Sequence, residues 1–209
     1  MTDTTPNQRQ ILEALQAEKS VTRRAAARRI RRLKDPSLGP AVIDALRREL
    51  ANPDAWETQY HLIMALGEAG YEHALSYLRD IVRRQYEATM IYAALGDAIV
   101  RLGRRSENDP TPVREMMATS NGMLIDGAFR AVAMLRLTLD ADAVEAIVAY
   151  ASPLHLDDGL RFWVAAAAAG WHGPAVERFL AECVTSPRED VRTAATSSQQ
   201  GKYRRWRPL

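Results

Sequence analysis

One apolar pattern returns along this chain at a nearly fixed interval, and it constrains the fold more than any single motif does. Between residues 39 and 51, Val42, Ile43, Leu46 and Leu50 fall three and four positions apart, the spacing of one helix face. Ala74, Leu75, Leu78 and Val82 repeat that stripe 32 residues later. Ala143, Val144, Ile147 and Ala151 carry it again, as do Ala175, Val176, Phe179 and Cys183, with a weaker copy at Val113, Met116 and Met117. The equivalent positions Ile43, Leu75, Val113, Val144 and Val176 are thus 32, 38, 31 and 32 residues apart. A period of this length marks units that each bury one face only by stacking on a neighbour.

Each stripe follows another helical stretch, and these end at Leu33, Leu66, Leu102, Leu135 and near Ala167, so the repeating unit is a helix pair. Turn residues punctuate it at Lys34-Asp35-Pro36, Asn52-Pro53-Asp54, residues 67–70, residues 170–173 and Ser186-Pro187. No segment alternates with the period of a strand, so the expected class is all-α. The single long spacing is accounted for by an insertion, Arg104–Pro112, whose polar residues and prolines predict an exposed loop. The repeats predict one domain over residues 1–201, with a basic aromatic tail at 202–209.

Two segments carry a family resemblance. Leu66-Gly67-Glu68-Ala69-Gly70, followed by a second helix, and Ser186-Pro187 followed by Asp190-Val191-Arg192-Thr193-Ala194-Ala195 resemble HEAT repeats of the short kind found in phycobilisome-lyase-like proteins. The resemblance implies a right-handed α-solenoid of about five HEAT-like helix pairs plus a terminal helix. It also implies a bracing role for Arg192, bonded to Asp190 or to an aspartate of the preceding unit. Members mostly act as protein-binding scaffolds, some bind nucleic acid and a few are enzymes, so the fold alone does not fix the activity.

Charge is the second informative feature. Residues 1–105 hold 17 basic and 13 acidic side chains, whereas residues 106–201 hold 7 and 13, so a net charge of only +2 conceals a polar distribution. Lys19 to Lys34 carries eight cations and no carboxylate, and at 100° per residue Arg24, Arg28, Arg31 and Arg32 share one face. Ala26, Ile30 and Leu33 lie opposite and are expected to dock on the core. Such a ridge is either solvated or paired within the molecule, or it awaits an acidic protein or a phosphate backbone. The second helices supply further candidate contacts to a partner: Arg47, Arg48, Arg79 and Arg83 in the basic half, and Glu145, Glu177 and Glu182 in the acidic half. A groove with opposite charge at its two ends suits a protein ligand. Nucleic acid is the alternative partner, through the ridge and the tail.

Catalytic chemistry finds little to build on. Metal ligands on helices recur three or four residues apart, yet His61, His73, His155 and His172 are scattered, and no metal or cofactor is expected. The one cluster, His155-Leu156-Asp157-Asp158, precedes Leu160-Arg161-Phe162-Trp163 and reads as a helix N-cap. Cys183, the only cysteine, falls on a core stripe and not beside a base. A glycosylase-like arrangement, with Trp163 and Trp171 gripping a base beside Asp157 or Asp158, is the remaining enzyme reading. Tyr203 and Trp206 in the tail suit either capping of the last helix or stacking on a ligand. With no long apolar span and no secretion signal, the expectation is a cytoplasmic monomer that binds a protein and is not an enzyme.

Overall fold

The computed structural model describes residues 6–206, so Arg207 and the rest of the extreme tail lie outside the described residues. Twelve α-helices and four short 3-10 turns account for the regular structure, and no strand occurs among the described residues. The first helices of successive repeats are α2 (Ser20–Leu33), α4 (Trp56–Glu68), α6 (Met90–Gly103), α8 (Gly122–Leu135) and α10 (Gly159–Ala167). The second helices are α3 (Gly39–Glu49), α5 (Leu75–Ile81), α7 (Thr111–Met117), α9 (Ala141–Ala151) and α11 (Pro174–Cys183). α12 (Glu189–Gln199) follows as the terminal helix, and α1 (Pro6–Ala14) precedes the repeats. Five first-and-second helices in chain order and a terminal helix match the repeat reading, while α1 is an addition. Ile11 is the residue that α1 buries, and Leu15, in the turn that follows, is buried as well.

The helices divide into two compact units, residues 6–103 and residues 104–206, and the boundary falls where the insertion begins. In the first unit α4 packs between α2 and α6, with α3 against α4 and α5 against α6. That central position explains why α4 is buried over its whole middle, from Thr58 to Gly67. In the second unit α10 packs between α8 and α12, α7 lies on α8, and α11 contacts both α9 and α12.

Local chemistry sets the helix ends. Asn121 accepts from the N–H groups of Met123 and Leu124, Asp140 from Ala143 at 2.7 Å, and Asp158 from Leu160 at 2.8 Å. Each satisfies donors that the first helical turn leaves open. At the far end of α4, Gly70 adopts φ +70° and the Tyr71 N–H donates back to the Leu66 carbonyl at 3.1 Å, which closes the helix. Gly67 serves a different purpose: a Cβ there would sit 2.8 Å from the Cα of Ala98, so it lets α4 and α6 approach closely.

The stripes locate the core with one adjustment of register. Val42 and Leu46 on α3, Leu78 and Ile81 on α5, Val144 and Ile147 on α9, and Val176 and Phe179 on α11 are all buried. Ile43 and Leu75 sit at the half-buried margin instead, because the buried arc of α3 and α5 is centred one position away. Leu33, expected in the core, is 41% exposed, since α2 ends there and Lys34 turns the chain at φ 51°.

Candidate partner-binding surfaces

The cationic ridge on α2 is a seam between helices. Arg24 pairs with Glu57, and Arg31 with Glu68 at 2.9 Å, while the Nε–H of Arg28 donates to Nε2 of His61 at 2.9 Å. All three acceptors lie on one side of α4, so the spacing of four and three on α2 meets a matching polar row on its neighbour. Arg31 also lies 5.5 Å from the centre of the Tyr60 ring. Arg23 reaches Glu49, which is 6% exposed, at 2.5 Å and donates to the carbonyls of Ala17 and Glu18. His61 is held neutral: burial, then the positive charges of Arg31 and Arg28, lower its pKa to about 4. Its free lone pair on Nε2 is what Arg28 uses.

On the second helices of the first unit the arginines stand differently. Arg47 lies 5.2 Å from the ring centre of Tyr77 and within 3.2 Å of Asp44, a solvent-exposed pair that contributes little to stability. Arg48 and Arg83 are exposed, and neither has a carboxylate within ion-pair distance among the described residues. Arg79 is half-buried and engaged. Exposed charge on α3 and the segment 75–84 therefore comes from four arginines, Arg47, Arg48, Arg83 and Arg84, against Asp44 and Asp80.

The second unit presents the opposite sign. Glu145 and Glu177 are exposed on α9 and α11. Glu182 is committed elsewhere, to Arg161 at 2.8 Å. Arg161, 1% exposed, donates as well to the carbonyls of Ser152 and Leu154 and lies 4.9 Å from the Phe179 ring centre. It thus ties the turn after α9 to α11, and removing the Glu182 carboxylate would leave the buried Arg161 charge without its counter-ion. Arg192 braces in a related way, through the carbonyls of Ser186 and Pro187, whereas Asp190 pairs with Arg188.

Groups considered for catalysis have structural duties. Asp158 caps α10, and Asp157 contacts Nδ1 of the exposed His155 at 2.5 Å. Cys183 is fully buried, and burial raises its thiol pKa, which disfavours the thiolate. Trp163 and Trp171 are core residues, and the indole N–H of Trp171 donates to the Leu137 carbonyl at 3.0 Å, so neither offers a face to a base. Among the described residues no three His, Cys, Asp or Glu side chains are grouped to hold a metal ion, and no helix is long and apolar enough to cross a membrane.

The insertion and the tail are ordered by their own contacts. Asp109 accepts from the N–H groups of Arg105 and Thr111, both at 2.9 Å, and these bonds, with that of the Thr111 hydroxyl, lower its pKa to about 2. Residues 105–108 are exposed, while Pro112 is buried in the first turn of α7. In the tail, Tyr203 lies against Gly170 with Arg136 at 5.0 Å from its ring centre, and Trp206 meets Phe162 edge-on at 4.8 Å. The aromatic residues of the tail cover α10 and its C-terminal turn, as capping requires.

A family model of HEAT repeats matches residues 9–96. The match extends to HEAT repeats in general and not to the phycobilisome-lyase-like subgroup. No curated protein matches the chain.

Proposed function

The chain carries HEAT repeats, which generally serve as protein-interaction modules, and from that premise we propose that it binds a protein partner through its second helices. The observation that carries this reading is the division of labour among the arginines. Arg24, Arg28 and Arg31 on α2 are spent on Glu57, His61 and Glu68, whereas Arg48 and Arg83 face solvent without a carboxylate. Unpaired like charges gathered on one surface favour an anionic neighbour. Arg47, Arg48 and Arg83 are the proposed contacts for acidic side chains of the partner, and Glu145 and Glu177 the proposed contacts for basic ones, whereas Arg79 and Glu182, expected from the sequence to join them, are already engaged within the chain.

A phosphate backbone is less well served. It would need the α2 ridge, where two of the four face-sharing arginines, Arg24 and Arg31, already hold carboxylates. The module acts by binding alone, as a scaffold, adaptor or inhibitor. Affinity capture from the native extract, with and without nuclease, tests the reading. Retention of the same proteins after nuclease treatment is expected. Retention that disappears with the nucleic acid refutes it.

A further inference from the structure

We propose that a cleft in the first unit, between the start of α4 and the segment 84–88, takes one apolar side chain of an acidic, extended segment of the partner. This rests on the protein-binding reading above and specifies what is bound. Leu50, Pro53, Trp56, Tyr86 and Ile91 supply its apolar lining, and Arg84 stands among them. Its volume is about 160 Å³. Cofactor and drug-sized ligands occupy sites of roughly 300–1,000 Å³, so this space fits a single side chain. Trp56 is 36% exposed, an uncommon state for so large a ring, and tryptophan is enriched where a partner is gripped.

Both walls are held in place without a ligand. On one side the Gln59 amide donates to the carbonyls of Glu49 and Asn52, each at 2.8 Å, which ties the end of α3 to α4. On the other, the Tyr86 hydroxyl donates to the Ile81 carbonyl at 2.8 Å, and the Tyr92 hydroxyl both accepts from the Tyr86 N–H and donates to the Arg84 carbonyl, each at 3.1 Å. A preformed cleft spares the cost of ordering on binding.

Charge then selects the flanking residues. Arg84 acts on both Tyr77 and Tyr86, and Arg47 lies over Tyr77, so a cationic and aromatic strip leads from the cleft towards α3. Glu87 is the one carboxylate in the lining, and Asp44 is already engaged by Arg47. Carboxylates next to the inserted side chain would meet Arg84 and Arg47 and shun Glu87.

Titration of the purified chain with the fluorescent peptide Glu-Asp-Leu-Glu-Asp tests this, alongside the same peptide with Ser for Leu, with Lys for every acid, and an oligothymidylate. Saturable binding of the Leu peptide near physiological salt is expected, weaker by at least about tenfold for Trp56→Ala, for Arg84→Glu and for the Ser peptide. Arg84 is exposed, so Arg84→Glu decides the matter even if Trp56→Ala loses stability. No saturable binding, equal binding by Arg84→Glu, equal binding of the Lys peptide, or tighter binding of the oligothymidylate overturns the proposal. The peptides read the cleft alone, so failure here with protein capture intact removes this inference and leaves the interaction module standing.

Discussion

Gly67→Ala tests the packing of α4 on α6, which places the surfaces of the first unit. In an open helix the change stabilises by about 1 kcal/mol, because alanine loses less backbone entropy than glycine. At this position the new methyl group would lie 2.8 Å from the Cα of Ala98, 2.9 Å from its Cβ and 3.4 Å from Cδ of Arg101. Carbon atoms pack best at roughly 3.5–4.0 Å, so an overlap near 0.7 Å must be relieved. The closest obstacle is backbone, which cannot rotate away, and α4 and α6 must therefore separate. Overpacking of this kind costs about 1–3 kcal/mol, and the backbone obstacle points to the upper half of that range. Subtracting the helix gain leaves a net loss of about 1–2 kcal/mol, or a fall in Tm of roughly 2–8 °C for a chain of this size. Gly122→Ala is the control, since nothing lies within 4 Å of its would-be Cβ. Thermal unfolding followed by circular dichroism at 222 nm reads both. A Tm for Gly67→Ala at or above the wild type would refute the close approach of α4 and α6. Ala98→Gly should fail to rescue, because the overlap with the main chain of α6 persists when the Ala98 methyl group is gone.

Acid should weaken the seam between α2 and α4. His61 has a folded pKa of about 4 against 6.5 when unfolded, so between those values only the unfolded chain takes up the proton. Its contribution is complete above pH 6.5 and is lost as pH falls towards 4, amounting to about 2–3 kcal/mol. Urea midpoints at pH 7 and 4.5 should differ less for His61→Gln than for the wild type, and an identical pH dependence contradicts the assignment. Tail docking predicts coupling between Gly170 and Tyr203, because a Cβ at Gly170 would lie 2.2 Å from the tyrosine oxygen. Gly170→Ala should destabilise the wild type and leave Tyr203→Ala almost unaffected, with a coupling of about 1 kcal/mol in a double-mutant cycle of urea denaturation. Additive effects would place the tail off the last helices.

The repeat itself was legible because a buried stripe must recur wherever a helix pair needs a neighbour, and Leu46, Leu78, Met116, Ile147 and Phe179 are spaced as that requires. Asp158 announced its helix by cap chemistry alone, and Gly67 and Gly70 marked the end of α4. What the sequence concealed was pairing. Nothing in the Lys19–Lys34 run says that its arginines meet Glu57, His61 and Glu68, because those partners lie 33 and 37 residues away on a different helix. Arg161 was hidden by its apolar neighbours, and a cation set between Leu160 and Phe162 was the one signal that a buried bracket stood there. Likewise Asp97, fully buried and paired with Arg101, interrupts the apolar run of α6 and could have been singled out on that ground. The cleft beside Trp56 depends on how the 82–89 segment folds, which no periodicity governs.

The central claim is that second-helix cations bind a protein while first-helix cations hold the fold, and charge reversal at the two places separates these roles. Arg48→Glu with Arg83→Glu should abolish protein capture from nuclease-treated extract while leaving Tm within about 2 °C, because exposed side chains away from packed contacts change stability little. Arg24→Glu with Arg31→Glu should instead lower Tm, by setting carboxylate against Glu57 and Glu68. Capture by the Arg48 and Arg83 double variant equal to that of the wild type would contradict the account.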